Sequence, residues 1–500
     1  MSPAQNRLAP ESLTKSFGAF YPEALLVRMD VDPKRFLDES WRKEFRARKP
    51  KLEEQVEVAL ASCAWHHEVR HFHDTFGTRA GINMFLAWMS VMDEFARVGA
   101  RLAASQARWA LPVQKAEASH LPDESRRFLK YALNVKLVCS RFRGELPSEF
   151  TGIEGLPDPL PHISHLREAR LGTVFYAFPA RATRITAAAS VEAIQHIPLA
   201  FDAIIEGNAQ AIQRTMIEKL WGPDVAQACF TRLGITMRAE GEAAYAPAYN
   251  VTDLMVTRYL ENHGIKSFPR KVLLALADHA LTAGVQIWRN PDGTRSTAME
   301  CAGVSFVDLL GSLEPAAVAA GEIPAPKEEG YLALLDHFAN TPPSEEVKDE
   351  QTPSTDIQIL YRWVAREVIK PLLDERLATG HRLFSDGDLW LTRVPKLPAP
   401  PFQIRRDGSL TSSAPPRVVE AWLRIRMWAQ MLDQLTSGEP AVLCPRAHDL
   451  APGITKINYA HTGTCDEYVA GELCGRFQPG IPAALPQCRF ADTLRMLGFH

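Results

Sequence analysis

Residues 65–74 hold most of the chemical information in this chain, and they read Trp65-His66-His67-Glu68-Val69-Arg70-His71-Phe72-His73-Asp74. Within them, His67-Glu68-x-x-His71 has the pattern HExxH. The surrounding run, residues 51–76, contains neither glycine nor proline, so we expect one continuous helix. On a helix His67 and His71 lie one turn apart, and both imidazoles can therefore reach one metal ion.

Two carboxylates accompany these histidines on the predicted helix. Glu68 lies about 100° round the helix axis from His67, where it can take a proton from a metal-bound water instead of binding the metal. Asp74 follows His71 by three residues and lies on the same face of the helix. Asp74 is therefore the candidate for a hydrogen bond that fixes the tautomer of a ligand histidine.

Apolar residues follow two sides of the same helix. One set, aligned with the two histidines of the motif, is Val56, Leu60, Cys63 and Ala64. The opposite set is Val58, Trp65, Val69, Phe72 and Phe76. A helix that is apolar all round is usually buried, so the histidines need either a metal or a hydrogen-bond partner. The alternative to a metal site is a buried helix whose histidines bond to core carbonyl groups.

At the HExxH residues the chain resembles the zincin metallopeptidases, specifically the gluzincin type. In that superfamily the two histidines bind zinc, the intervening glutamate is the general base, and a glutamate on a later helix is the third ligand. The resemblance implies zinc as the cofactor, His67 and His71 as ligands, and Glu68 as the base. It covers the motif helix and one downstream helix. The longer metzincin pattern is absent, because no glycine and third histidine follow His71 at the required spacing.

Glu206 is the first candidate for the third ligand. It lies in Ile204-Ile205-Glu206-Gly207-Asn208-Ala209, on a helix predicted over residues 198–220 with Pro198 in its first turn. Gly207 makes that helix less stable by about 1 kcal/mol relative to alanine. Close packing of the motif helix against Gly207 would explain why a glycine is found there.

Glu192 is the rival third ligand, on a helix predicted from Ile185 to His196. For either glutamate, the alternative to metal binding is an ion pair with an arginine such as Arg184 or Arg214. The residue types and spacing leave this choice open.

The length of the chain predicts more than one domain, because 500 residues exceed what a single core usually holds. We predict a mainly α fold, with room for a small sheet around a strand at residues 173–178. A zincin-like helical domain is expected over residues 1–340 and a polar linker over residues 341–356. A helical accessory domain is expected over residues 357–500.

The overall composition argues against several classes of partner. The formal net charge of -3 gives no electrostatic case for nucleic acid or an anionic membrane. We find no run of 18 or more apolar residues and no signal-peptide pattern after Met1, so we expect a cytoplasmic protein. The eight cysteines are then expected to be reduced or metal-bound.

Half of these cysteines fall in the C-terminal tail, at Cys444, Cys465, Cys474 and Cys488. Four thiolates can hold a structural zinc ion. Their spacing contains no CxxC pair of the kind that most structural zinc sites use. The alternative is a set of buried free thiols.

The sequence as a whole predicts a zinc-dependent hydrolase, and most simply a peptidase that acts on a protein or peptide. It contains no phosphate-binding loop, dinucleotide fingerprint or nucleophile elbow. The alternative, from a different class, is a helical binding or regulatory protein, such as a component of a bacterial stress or defence system. In that case the metal site would be structural or degenerate.

Overall fold

A computed structural model describes the chain in thirteen segments. They are residues 18–22, 25–29, 38–104, 122–144, 174–181, 192–232, 247–282, 285–289, 295–299, 301–326, 329–348, 352–405 and 410–437. The four tail cysteines predicted as a possible zinc site lie outside these segments.

Helices account for most of the described residues. They are α1 (Glu39–Ala47), α2 (Leu52–Gly77), α3 (Arg79–Ala104), α4 (Asp123–Arg143), α5 (Phe201–Trp221), α6 (Pro223–Arg232), α7 (Pro247–Glu261), α8 (Lys271–Ala280), α9 (Ala302–Ser312), α10 (Pro315–Ala320), α11 (Glu329–Ala339), α12 (Pro353–Val364), α13 (Lys370–Ala378), α14 (Arg382–Ser385), α15 (Gly387–Arg393) and α16 (Pro416–Ser437). A π-helical turn, Ala365–Ile369, joins α12 to α13, and short 3-10 turns lie at Ser344–Glu346 and Val394–Lys396.

The strands are short and form three separate sheets. They are β1 (Gly18–Tyr21), β2 (Leu26–Met29), β3 (Val174–Arg181), β4 (Glu192–Leu199), β5 (Val285–Arg289), β6 (Arg295–Met299), β7 (Phe402–Arg405) and β8 (Leu410–Ser412). Among the described residues, β3 pairs with β4 and β5 pairs with β6, each antiparallel. The predicted fold class, mainly α with a small sheet, is confirmed.

Local sequence signals account for where several helices begin. The side chain of Asp38 accepts the backbone N–H of Trp41 at 2.8 Å and caps α1. Asp386 caps α15 in the same way, accepting the backbone N–H of Leu389 at 3.1 Å. The helix predicted over residues 51–76 is observed as α2, Leu52–Gly77. It ends before Thr78, whose backbone is extended.

The helix predicted from Ile185 to His196 is wrong where the structure describes it. Residues from Glu192 onward form strand β4, and Pro198 lies in this strand opposite Phe175. The strand predicted at residues 173–178 is confirmed as β3, and it supplies the partner for β4. Pairing with the preceding strand β3 decides the conformation of this segment, and the apolar pattern of the segment alone does not show that pairing.

A four-stranded sheet brings the two ends of the described chain together. Its strand order is β1-β2-β7-β8, with β2 and β7 parallel and the other two pairs antiparallel. One end of the sheet covers α2, where the rings of Phe20 and Phe72 meet edge to face with centroids 6.0 Å apart. Val27 and Met29 pack with Ala64 beside them. The sheet therefore lies against the helix that carries HExxH.

The hydrophobic core crosses the predicted linker. One cluster of buried side chains includes Phe72 and Phe95 from the first half and Trp363 and Trp422 from the second. Strand pairing between β2 and β7 crosses the same boundary. The division at residues 341–356 stays a prediction, and any two domains would share this core. Within the described segments, no helix has both the length and the apolar composition needed to cross a bilayer.

A buried ion pair joins the C-terminal half to the core. Nη2 of Arg376 lies 2.7 and 2.9 Å from the two carboxylate oxygens of Asp278, and both side chains are fully buried. Nη1 of Arg376 donates to the carbonyl of Gly77 at 3.3 Å. Its guanidinium also lies 4.0 Å from the ring centroid of Tyr331. One side chain of α13 therefore binds α8 and the end of α2.

Replacement of Asp278 tests this junction. Asp278→Asn leaves the Arg376 charge buried without its counter-ion, and we expect the free energy of unfolding to fall by about 3–5 kcal/mol. The control is Glu39→Gln, which breaks an exposed pair with Lys43 and should change little. Chemical unfolding at pH 7, followed by tryptophan fluorescence, measures both. Unchanged stability of Asp278→Asn would contradict the role of the pair.

Candidate metal centre

Helices α2 and α5 pack side by side and bring the candidate ligands together. The two helices run in opposite directions, since Ser62 of α2 bonds to Trp221 of α5 and Asp74 bonds to Asn208. Most residues of α2 from Ala59 onward are buried, including His67 and His71. This confirms the expectation that α2 is a buried helix, and it places both histidines of the motif in a protein interior.

His67, His71 and Glu206 form one group whose ligand-type atoms all lie within 4.8 Å of one another. The Nε2 atoms of the two histidines are 3.0 Å apart. The Glu206 oxygens lie 3.4 Å from Nε2 of His67 and 3.5 Å from Nε2 of His71. In a tetrahedral zinc site with bonds of about 2.1 Å, neighbouring ligand atoms are about 3.4 Å apart. The observed spacings are close to that geometry.

Several polar atoms of this group have unmet hydrogen-bonding capacity. Oε2 of Glu206 and the Nδ1 atoms of His67 and His71 are buried and make no hydrogen bond within the described part of the chain. A buried polar atom without a partner is costly, so native proteins seldom leave one in this state. A cation between the two Nε2 atoms and the carboxylate would supply the missing partner for Glu206. The residues present therefore fit a divalent metal ion.

The charges within the group favour the ionised form of Glu206. Burial acts to raise the pKa of Glu206, but the nearby imidazoles of His71 and His67 outweigh it and hold that pKa below its usual range. Burial acts to lower the pKa of His71, and the Glu206 carboxylate outweighs it and raises that pKa. The carboxylate is thus in the form that binds metal, and metal binding would compete with protonation of His71.

Glu68 lies between this group and the edge of the sheet. Its side chain is packed against strand β1, where the backbone N–H of Phe20 donates to its carboxylate. A Cβ atom at Gly18 would lie 2.9 Å from Cγ of Glu68, so a larger residue at position 18 would displace the glutamate. Burial raises the pKa of Glu68 to about 7, with nearby Glu206 also raising it and His67 opposing. Such a carboxyl group can gain and lose a proton near neutral pH.

The prediction that Asp74 orients a ligand histidine is wrong for the contacts observed. Its two oxygens accept from Nε of Arg70, each at 3.0 Å, and Oδ2 also accepts from Nδ2 of Asn208 at 3.2 Å. Neither Nδ1 of His67 nor Nδ1 of His71 bonds to it. A buried arginine one turn earlier on α2 provides the counter-charge that a buried carboxylate needs, so Asp74 turns toward Arg70.

The two glutamates considered as third ligand lie in different places in the structure. Glu206 joins the histidines, whereas Glu192 begins strand β4, opposite Arg181. Gly207 does not make room for the motif helix: a Cβ there would lie 2.3 Å from Oγ1 of Thr252, on α7. The glycine is needed because α5 packs closely against α7. The assignment of Glu206 as a metal ligand stays a prediction.

A segment of the C-terminal half covers the other side of the motif helix, which the sequence did not predict. Nη2 of Arg70 donates to the carbonyl of Phe384 at 2.8 Å. Nε1 of Trp390 donates to Nδ1 of His73 at 3.0 Å, and Nε2 of His73 lies 2.8 Å from the carbonyl of Pro398. Burial lowers the pKa of His73 to about 3, so this histidine is neutral. The partners in these three contacts are more than 300 residues apart, and no pattern in the sequence indicates that they meet.

The described cysteines do not add to the site. Within the described segments, Cys63, Cys139, Cys229 and Cys301 are not joined in disulfides. Burial raises the pKa of Cys63 and of Cys229 to about 12, so both are protonated at neutral pH. A protonated buried thiol is a poor metal ligand and a poor nucleophile.

Comparison of the chain with protein-family models, with curated proteins and with solved structures found no match. The functional assignment therefore depends on the chemistry and geometry of the residues themselves.

The environment of Glu68 predicts a pH-dependent effect of its replacement. With a folded-state pKa of about 7 and an ordinary value of 4.5, Glu68 is ionised in the unfolded chain before it is ionised in the fold. Its presence therefore lowers stability progressively as pH rises from about 4.5 to about 7. In metal-free protein, Glu68→Gln should be more stable than wild type at pH 8, by an amount on the order of 3 kcal/mol.

Urea unfolding in the presence of a chelator, at pH 5 and at pH 8, measures this effect. The gain from Glu68→Gln should be much smaller at pH 5, where the buried carboxyl group is protonated in the fold. A difference between the two proteins that is the same at both pH values would show that the carboxyl group is not desolvated as described.

Proposed function

We propose that this protein is a zinc-dependent hydrolase, most simply a peptidase, whose metal is held by His67, His71 and Glu206. The observation that carries the proposal is the convergence of these three side chains from two helices, with ligand-type atoms within 4.8 Å of one another. Two of them belong to an HExxH sequence, and the third is a glutamate from a later helix. The same arrangement of ligands is the one implied by the resemblance to gluzincins.

The donor set favours zinc and a catalytic type of site. Two imidazole nitrogens and one carboxylate are a ligand set that zinc accepts, and three protein ligands leave a fourth position open. The side chain of Glu206 is 31% exposed, although its Oε2 atom is buried. When bound, zinc supplies the Lewis acidity that makes water nucleophilic near neutral pH and polarises a scissile carbonyl.

Glu68 is the residue that would move the proton. Its pKa of about 7 suits a group that takes a proton from water as the water attacks and then gives it to the leaving amine. The Phe20 N–H and the close contact with Gly18 hold the carboxylate in one place. Held in this way beside the histidines, it loses little entropy when the proton is transferred.

One observation supports a different class of function. Glu68 is only 6% exposed and is covered by β1. A metal in this site could therefore serve as a structural clamp between α2 and α5, in a binding or regulatory protein without turnover. The two proposals share the metal and differ in the role of Glu68.

Metal analysis tests the ligands that both proposals share. We expect one zinc per chain that depends on His67 and His71, and loss of it in His67→Ala/His71→Ala because two of three ligands are removed. Glu206→Gln should bind zinc more weakly, whereas Glu192→Gln should bind it as the wild type does. Elemental analysis after removal of excess zinc measures all four proteins. Equal zinc content in wild type and double variant would sink the proposed site.

The Glu68→Gln variant separates the hydrolase from the clamp. If the proposal is correct, this variant keeps its zinc and loses hydrolysis by about 10²–10⁴-fold, because a general base is removed. A mixture of peptides from digested protein, followed by mass spectrometry, serves as the substrate pool. The wild type loaded with zinc should cleave some of these peptides, and the same protein after chelation is the control. Equal cleavage by wild type and Glu68→Gln would contradict the assignment of the base.

A further inference from the structure

The candidate ligands come from two different helices, so their geometry depends on how those helices are held together. His67 and His71 belong to α2 and Glu206 belongs to α5. Metal–ligand distances tolerate changes of only about 0.2 Å. A small slide of α5 along α2 would therefore remove Glu206 from the coordination sphere while leaving the fold intact. A contact that fixes this slide near the metal would control zinc affinity.

Asn208 makes such a contact. It is 1% exposed, and its Nδ2 donates to Oδ2 of Asp74 at 3.2 Å. Asn208 follows Glu206 by two residues on α5, and Asp74 follows His71 by three residues on α2. The hydrogen bond thus joins the two helices within one turn of a ligand on each side. Its acceptor is charged and both partners are buried, which makes it stronger than an ordinary surface bond.

Asp74 is in turn held by Arg70. Nε of Arg70 lies 3.0 Å from both oxygens of Asp74, and Nη2 lies 3.0 Å from Oδ1. Nη2 also donates to the carbonyl of Phe384, and the guanidinium lies 5.4 Å from the ring centroid of Phe384 and 5.6 Å from that of Trp390. The position of the Asp74 carboxylate is therefore set from two sides, by α2 itself and by the segment around Phe384.

We propose that Asn208, Asp74 and Arg70 are positioning residues that hold Glu206 at ligating distance from His67 and His71. The inference rests on the proposed metal site, and it assigns these three side chains a role in zinc affinity beyond their role in stability. It also connects the C-terminal half to the metal, because Phe384 and Trp390 fix the arginine at the end of the network. None of the three touches the metal position directly.

The same two helices offer a matched control. Nε1 of Trp221 on α5 donates to Oγ of Ser62 on α2 at 3.1 Å, and this bond is also buried. It joins α2 to α5 at the opposite end of their contact, before the motif and after Glu206 in sequence. Ser62→Ala and Asn208→Ala each remove one buried hydrogen bond between the two helices. Only the second removes the bond next to the ligands.

Zinc affinity, measured by competition with a chromophoric chelator, distinguishes positioning from general stabilisation. Thermal unfolding of the metal-free proteins should show that both variants are less stable than wild type. Asn208→Ala should bind zinc about 10- to 100-fold more weakly, the usual effect of losing a residue that supports a ligand. Ser62→Ala should keep wild-type affinity. Wild-type affinity in Asn208→Ala, or an equal loss in both variants, would overturn the proposal.

An exchange of the two side chains provides the rescue. Asp74→Asn and Asn208→Asp should each weaken zinc binding, because the first removes the charge facing Arg70 and the second places two carboxylates together. The double variant Asp74→Asn/Asn208→Asp restores a hydrogen bond between one amide and one carboxylate but leaves Arg70 facing the amide, so it should bind zinc more tightly than Asn208→Asp and no more weakly than Asp74→Asn. If Asn208→Ala does not fold, this exchange carries the test. No recovery in the double variant would contradict a specific pair.

Failure of this inference is distinguishable from failure of the metal site itself. If wild type and His67→Ala/His71→Ala retain the same zinc, the proposed ligands are wrong and the positioning network has nothing to position. If the double histidine variant loses its zinc while Asn208→Ala binds zinc as tightly as wild type, the metal site is supported. Only the positioning role of Asn208, Asp74 and Arg70 is then wrong.

Discussion

The close packing of α2 against α5 is the constraint on which the rest of the structure depends. The contact buries polar side chains from both helices, and each needs a partner because water is excluded. Asp74 accepts hydrogen bonds from Arg70 and Asn208, and Trp221 donates one to Ser62. Glu206 lies against the two motif histidines. Apolar residues such as Val69, Ala211 and Ile212 fill the space between them. A large shift of one helix along the other would break several of these contacts at once, and the Asn208–Asp74 bond is the one beside the candidate ligands.

The motif helix uses its polar residues on two different faces. His67, Glu68 and His71 lie toward α5 and the sheet edge, where the chemistry is proposed. Arg70 and His73 lie toward Phe384, Trp390 and Pro398, and neither side chain belongs to the group of candidate ligands. His73, two residues after the motif, thus donates a hydrogen bond to the carbonyl group of Pro398 and is not a further member of the ligand group. The residue type alone does not distinguish these roles, since a neutral imidazole can serve in either.

The sequence was sufficient for features that depend on local order along the chain. The motif helix and the strand at residues 173–178 followed from periodicity and composition, and Glu206 was a candidate ligand because the resemblance to gluzincins implies a glutamate on a later helix. The sequence was insufficient where a partner outside the element, or a choice between neighbouring partners, decides the outcome. Glu192 lies in a strand because β4 pairs with β3, and Asp74 bonds to Arg70 of its own helix and to Asn208 of α5 instead of to a motif histidine. Gly207 is explained by Thr252 of α7, a helix that the sequence does not connect with it.

The burial of Glu68 bears on whether the site is a catalyst or a clamp. Desolvation raises the pKa of this carboxyl group to about 7 in the metal-free protein, which means that without metal the ionised side chain destabilises the fold at neutral pH. A clamp formed by His67, His71 and Glu206 would gain nothing from it, because a glutamine at position 68 could accept the same Phe20 N–H without carrying a charge. A carboxylate that lowers stability, next to a group suited to zinc, is the pattern expected where activity requires a proton acceptor. The physical cost of Glu68 therefore favours the hydrolase over the structural clamp.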